Sequence, residues 1–202
     1  MLYNILKPYH LILASQSPRR NSLLRGLDID FEVFVREDID EIVPSGLNKF
    51  EIPLHLAEFK SEAYTDLLID KNILLTADTI VWHNGRVLGK PIDHADAVRI
   101  LKELSGSMHE VVTGVCLRSK KQVVKFHALS QVWFRTITDE EIEYYLNRYK
   151  PFDKAGSYGI QEWLGYAVIE KITGSFYNVM GLPVQALYGE LIKFIDNERM
   201  NR

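Results

Sequence analysis

Arg19 and Arg20 fall in the first turn of a segment that reads as a helix, directly after Leu11-Ile-Leu-Ala-Ser-Gln-Ser-Pro18, which reads as a short strand running into a helix start. Ser17 has the type of an N-cap. Pro18 suits the first helical position, where a missing N–H is no loss. Such a junction turns free backbone N–H groups and the positive end of the helix dipole toward one spot. Cations are mildly disfavoured there, so two arginines make sense if an anion holds them, and a phosphate matches the guanidinium fork. The plain alternative is a strand, turn and helix with solvated arginines.

Other residue types point the same way. Asp78 lies in Leu74-Leu-Thr-Ala-Asp-Thr-Ile-Val81, an acid at the junction of two apolar strand stretches. A carboxylate there is costly unless paired, metal-bound or exposed at a strand end. It is either a turn aspartate or a functional group: a metal-linked carboxylate, or a general base for water. Asp38-Ile-Asp-Glu41 is a second acidic cluster, either a solvated loop or, with Glu41 facing Asp78, part of a Mg²⁺ site completed by phosphate oxygens. Lys60, inside an apolar-periodic helix, either snorkels to water or joins Arg19, Arg20 and the loop residue Lys90 in a triphosphate clamp. Pro151-Phe-Asp-Lys-Ala-Gly-Ser-Tyr-Gly-Ile-Gln161 has two glycines three apart, suiting a loop that bends or approaches something closely. The Gln161 amide offers a donor and an acceptor, as reading a base edge requires; the bland alternative is a connector.

The elements that must position these residues are readable in outline. Pro18–Gly26 is expected to be a helix, Phe31–Val35 a strand and Ile52–Leu68 an amphipathic helix. Ile73–Thr76 and Thr79–Trp82 have a buried-strand pattern, and Asn84-Gly85 is a hairpin turn returning as Arg86–Leu88. Asp93 caps a helix to Leu104. His109–Arg118 and Gln122–Phe134 form a hairpin around Ser119-Lys120-Lys121. Thr138 and Glu141 have capping-box spacing for a helix to about Tyr149. Tyr166–Ile172 and Phe176–Met180 read as a third hairpin around Thr173-Gly174-Ser175, and Pro183–Ile195 as a closing helix. Crossovers mixed with hairpins predict an α/β fold, a single domain over residues 1–202 with a mixed, curved central sheet flanked by helices.

Bulk properties narrow the function classes. The 202 residues are 47% hydrophobic and 25% charged, so a sizeable core is available, and the net charge of −3 gives no broad pull toward nucleic acid or anionic membrane. An anionic substrate must therefore meet a local cluster of cations. The single cysteine, Cys116, sits in an apolar run and reads as a core residue. The six histidines show no metal spacing, and the three tryptophans, Trp82, Trp133 and Trp163, read as packing groups. Met1–His10 is too broken by polar residues for a signal peptide or a membrane span, which makes a cytoplasmic location the expectation.

Taken in order, the segments resemble the Maf family of nucleoside triphosphate pyrophosphatases. The matching pieces are Ala14-Ser-Gln-Ser-Pro-Arg-Arg20, Asp40-Glu41, Leu56-Ala-Glu-Phe-Lys60, Ala77-Asp-Thr-Ile-Val81, Leu88-Gly-Lys-Pro91, Leu104-Ser-Gly106, Asp153-Lys-Ala-Gly-Ser-Tyr-Gly-Ile-Gln161 and Gly181-Leu-Pro183. The resemblance implies a Maf and inosine-triphosphatase-like fold and a metal-dependent enzyme, using Mg²⁺ or Mn²⁺, that cuts a nucleoside triphosphate between the α and β phosphates. By position it gives Asp78 the role of proton acceptor and metal ligand. Ser15, Arg19, Lys60 and Lys90 hold the phosphates, and Glu41 helps place the metal. Arg20, Thr79 and Gln161 match the specificity positions of the branch acting on dTTP and UTP. It also implies a homodimer; an alternative target is a modified or non-standard nucleotide, in a house-cleaning role. The competing reading is a nucleotide-binding regulator of cell division without catalysis. Glu162-Trp163 departs from the smaller, glycine-rich residues expected after Gln161.

Overall fold

The computed structural model describes residues 1–36 and 42–200. Local signals set most of its elements. Helix α1 (Leu2–Leu6) precedes strand β1 (His10–Leu13) and helix α2 (Pro18–Arg25), whose cap is Ser17: the Arg20 N–H donates to Ser17 Oγ at 3.4 Å. Strand β2 is only Glu32–Val33, shorter than the expected Phe31–Val35, with both residues exposed. Helix α3 (Glu51–Glu62) also stops short of the expected Leu68, and a 3-10 turn follows at Thr65–Leu67. Arg36 supplies the reason. Its guanidinium donates to the Ala63 carbonyl and, at 2.5 Å, to the Asp66 carboxylate, and its backbone N–H donates to Tyr64 Oη at 2.9 Å. A cation on the last carbonyls ends the helix where the periodicity alone would continue it.

Strand β3 (Asn72–His83) runs unbroken through Asp78 and turns at Asn84-Gly85, both with positive φ, into antiparallel β4 (Arg86–Leu88). Helix α4 (His94–Leu104) is capped by Asp93, which accepts the Asp96 N–H at 2.8 Å. Strands β5 (Met108–Arg118) and β6 (Val123–Phe134) follow, and α5 (Asp139–Tyr149) opens with the Thr138–Glu141 capping box.

The third hairpin is corrected. Trp163–Ala167 is a helix, α6; Ile169–Thr173 is strand β7; and Phe176–Met180 is a helical turn, α7, rather than a strand. Ser175 starts that turn by accepting the Asn178 N–H on its hydroxyl at 3.3 Å, and buried Asn178 donates to Val111 O (3.1 Å) and Ser130 Oγ (3.0 Å). These bonds outweigh the strand preference of Phe-Tyr-Asn-Val. Helix α8 (Val184–Met200) closes the fold.

The sheet is mixed, in order β2-β1-β3-β5-β6-β7 with β4 on β3. Parallel pairing joins β1 to β2 and β3, and antiparallel pairing joins β7 to β6. The chain divides into two compact units, the first comprising Met1–Asp78, Thr113–Ala128 and the chain from Gly181 on, the second Thr79–Val112 and Leu129–Met180. The first buries Leu11, Leu13, Leu74, Leu75 and Phe194, and Cys116 as expected, while the second has a continuous core that includes Val81, Leu101, Val132 and Tyr145. Among the described residues no helix is long and apolar enough to cross a membrane.

In the second unit His109 is 1% exposed, donor or acceptor to Tyr158 Oη at 2.7 Å and edge-on to Phe134. Burial, with His83 adding to it, pushes the imidazole down from 6.5 to about 3. The folded protein thus resists a proton that the unfolded chain takes up below about 6.5. This contribution to stability is full above that pH and is lost as the pH falls toward 3, at up to about 1.4 kcal/mol per pH unit. Urea unfolding from pH 7 down to 4 should show the decline, and His109→Phe should flatten it. An equal slope in the variant would assign it to other groups.

Candidate active site

The first unit carries five of the expected residues, Ser15, Arg19, Arg20, Lys60 and Asp78. On α3, Ala57 and Lys60 are three apart and share a face; on β3, Thr76 and Asp78 are two apart and share a face. Thr76 Oγ1 donates to the Ala57 carbonyl at 2.6 Å, docking helix on strand. One helical turn and two strand residues further on, Lys60 Nζ meets Asp78 Oδ1 at 2.6 Å. Both side chains are largely withdrawn from solvent, at 16% and 12% exposure. Gly114 of β5 makes the docking possible, because a Cβ there would lie 2.3 Å from the Pro53 carbonyl carbon and oxygen. Asp78 is therefore a strand residue, which excludes the turn aspartate, and Lys60 does not snorkel away.

Beside this pair in the sheet, β1 runs parallel to β3 with Leu13 opposite Leu75, and the Ala14 N–H donates to Leu75 O at 2.9 Å. Ser15 and Asp78 both lie beyond the carboxyl end of that paired segment, where open α/β sheets hold their ligands. Ser15 Oγ accepts the Ser17 N–H at 3.2 Å and receives Arg20 Nη1 at 3.5 Å. Arg20 Nε donates to the Gly181 carbonyl at 2.8 Å. That anchor comes from 161 residues away, in the Gly181-Leu-Pro183 segment, whose role the sequence left open. Arg19 is half-buried in the same first turn. The first unit thus carries a helix N-terminus, two arginines and a hydroxyl, groups able to hold an anion, and a lysine–carboxylate pair able to accept a proton.

Thr79, Lys90 and Gln161 belong to the second unit. Thr79 follows Asp78 on β3 and is half-buried; Lys90 is exposed in the loop after β4. The segment before Lys90 and the loop before Gln161 are tied, since the Gly156 N–H donates to Gly89 O at 3.1 Å. Gly156 has φ 72, and a Cβ there would press to 2.9 Å from Val81 Cγ2, so this bend needs glycine. Among the described residues Gln161 Oε1 is buried without a hydrogen-bond partner, an acceptor left for an incoming donor. Glu41 lies outside the described residues, which contain no group of three His, Cys, Asp or Glu side chains able to hold a metal by themselves.

Comparison with known proteins shows which family the chain resembles. Residues 10–194 match the family model described as Maf-like protein. The chain is 56% identical to a dTTP/UTP pyrophosphatase of Parabacteroides distasonis over 194 residues, covering 96% of this chain and all (100%) of that protein. It is 53% identical to the dTTP/UTP pyrophosphatase of a Porphyromonas gingivalis strain over 94% of this chain and 96% of the relative. It is 49% identical to that of a Bacteroides fragilis strain over 95% and 98%.

Proposed function

Since this chain belongs to the Maf-like protein family, we propose that it hydrolyses dTTP and UTP between the α and β phosphates, releasing the nucleoside monophosphate and pyrophosphate. The observation that carries this reading is the Lys60–Asp78 pair, 2.6 Å apart and largely shielded from solvent. Asp78 takes the proton of the attacking water as the oxygen bonds to the α-phosphorus and the bond to the bridging oxygen breaks. Lys60 fixes one carboxylate oxygen, so the other is presented in a set direction. Phosphoryl transfer asks for positioning and charge more than covalent chemistry, and Ser15, Arg19, Arg20 and Lys60 supply both in the first unit. Lys90 is a further cation proposed to hold phosphate.

The donor chemistry fits a Mg²⁺ or Mn²⁺ ion. Asp78 offers a hard carboxylate oxygen, Glu41 is the second candidate ligand, and such ions commonly take one or two carboxylates and complete their shell with substrate phosphates and water. When bound, the ion would neutralise phosphate charge and polarise the α-phosphorus.

Arg20, Thr79 and Gln161 are the proposed specificity positions. The unpaired Gln161 Oε1 suits the N3–H of thymine and uracil, whereas the N3 of cytosine carries no hydrogen. A regulator that only binds nucleotide would need the cations but not a base, so Asp78 favours catalysis. Pyrophosphate release from dTTP, UTP, CTP and dGTP, with Mg²⁺ or Mn²⁺ and with chelator, tests the reading. Preference for dTTP and UTP and loss with chelator are expected. Binding without release from any of the four would move the protein to the regulatory class.

A further inference from the structure

Glu162 is the departure that the proposed reaction leaves unused, and its surroundings give it work. It lies at the start of α6, yet its side chain is only 17% exposed and both carboxylate oxygens are engaged. Tyr145 of α5, itself fully buried, donates its hydroxyl to Glu162 Oε2, and Lys154 Nζ, 11% exposed, lies 3.2 Å from Oε1. The same Tyr145 oxygen accepts the Gly159 N–H at 2.9 Å. The Glu162 N–H donates to Gly159 O at 3.1 Å, which closes a four-residue turn with Ile160 and Gln161 at its corners. One phenol oxygen therefore holds both ends of the turn. Ile160 packs into the core, 3% exposed. Gly159 lets the carboxylate fold back over the turn, since a Cβ there would lie 2.7 Å from Glu162 Cδ.

We propose that Glu162, held by Tyr145 and Lys154, is a positioning residue that fixes the Gln161 amide and thereby sets the base preference of the enzyme. This rests on the reading that Gln161 meets the base edge. A carboxylate paired on both oxygens and largely shielded from water is stiff, because rotating it leaves a charge or a hydroxyl unpaired. The stiffness passes to Gln161 through a single peptide bond. An amide acceptor that is buried and unpaired selects a donor only if it cannot turn its NH₂ group to the ligand instead, and the clamped turn limits that freedom.

The test compares kcat and KM for UTP and CTP, which share sugar and phosphates and differ at the pyrimidine N3 and C4 positions. The variants are Tyr145→Phe, which removes one oxygen, Glu162→Gln, which keeps an acceptor for Tyr145 but loses the charge facing Lys154, Gln161→Ala, and Tyr145→Phe combined with Gln161→Ala; thermal melting establishes that each is folded. Tyr145→Phe should reduce the UTP-over-CTP ratio of kcat/KM about tenfold, mostly through KM for UTP, on the scale of one polar pocket contact. Glu162→Gln should move it the same way by less. On the Gln161→Ala background the Tyr145→Phe effect should vanish, which a general loosening of the fold would not produce. An unchanged ratio in both folded single variants overturns the proposal, as does an equal loss with and without Gln161. If Gln161→Ala itself leaves the ratio unaltered, the base-edge reading fails, and the positioning role with it.

Discussion

Asp78→Asn is expected to lower kcat on dTTP and UTP by about a hundredfold or more, the usual scale for a lost general base. Asparagine matches the shape of aspartate and keeps an oxygen for Lys60 Nζ, so the Thr76–Ala57 contact that docks α3 on β3 should survive and the protein should stay folded. KM should change much less than kcat, because the helix N-terminus, Arg19, Arg20 and Ser15 are untouched. The measurement is steady-state pyrophosphate release beside a melting curve. Turnover within about threefold of wild type would remove Asp78 from the chemistry and leave the pair with Lys60 a structural one.

Gly114→Ala should have the largest effect on stability. The new Cβ would lie 2.3 Å from the backbone carbonyl of Pro53 and 2.5 Å from Leu54 N, with no flexible side chain to give way. Either β5 or α3 must shift, at a cost near or above the upper end of the overpacking range, about 3 kcal/mol. For a chain of this length that is a fall of roughly 6–12 °C in melting temperature. Because α3 carries Lys60, activity per folded molecule should fall as well, and it should fall through Lys60 leaving Asp78. A variant that melts with wild type would mean that the helix sits on the sheet with slack, and the Lys60–Asp78 distance would lose its structural cause.

Features made within four residues of chain were open to the sequence. The Ser17 cap with Pro18, the Asp93 cap, the Thr138–Glu141 box and the Asn84-Gly85 turn each depend on neighbours in order, and all four form as expected. The errors lie where distant residues decide. Arg36 ends α3 across 27 residues, and Val111 and Ser130 hold Asn178 in a helical turn where Phe-Tyr-Asn-Val favoured a strand. The site divides in the same way. The residue types at Ser15, Arg19, Arg20, Lys60 and Asp78 were readable, but the Lys60–Asp78 contact and the Gly181 anchor of Arg20 are tertiary. For Gly114 the sequence signal is a lone glycine inside an apolar strand, which marks a close approach of another backbone.

The identity of the products from UTP tests the central claim most directly. With UTP, a divalent cation and the wild-type protein, ³¹P spectroscopy of the reaction should show UMP and pyrophosphate rising together in equal amounts, with no UDP at any time. UDP and inorganic phosphate as first products would place the attack on the γ-phosphorus and contradict cleavage between the α and β phosphates.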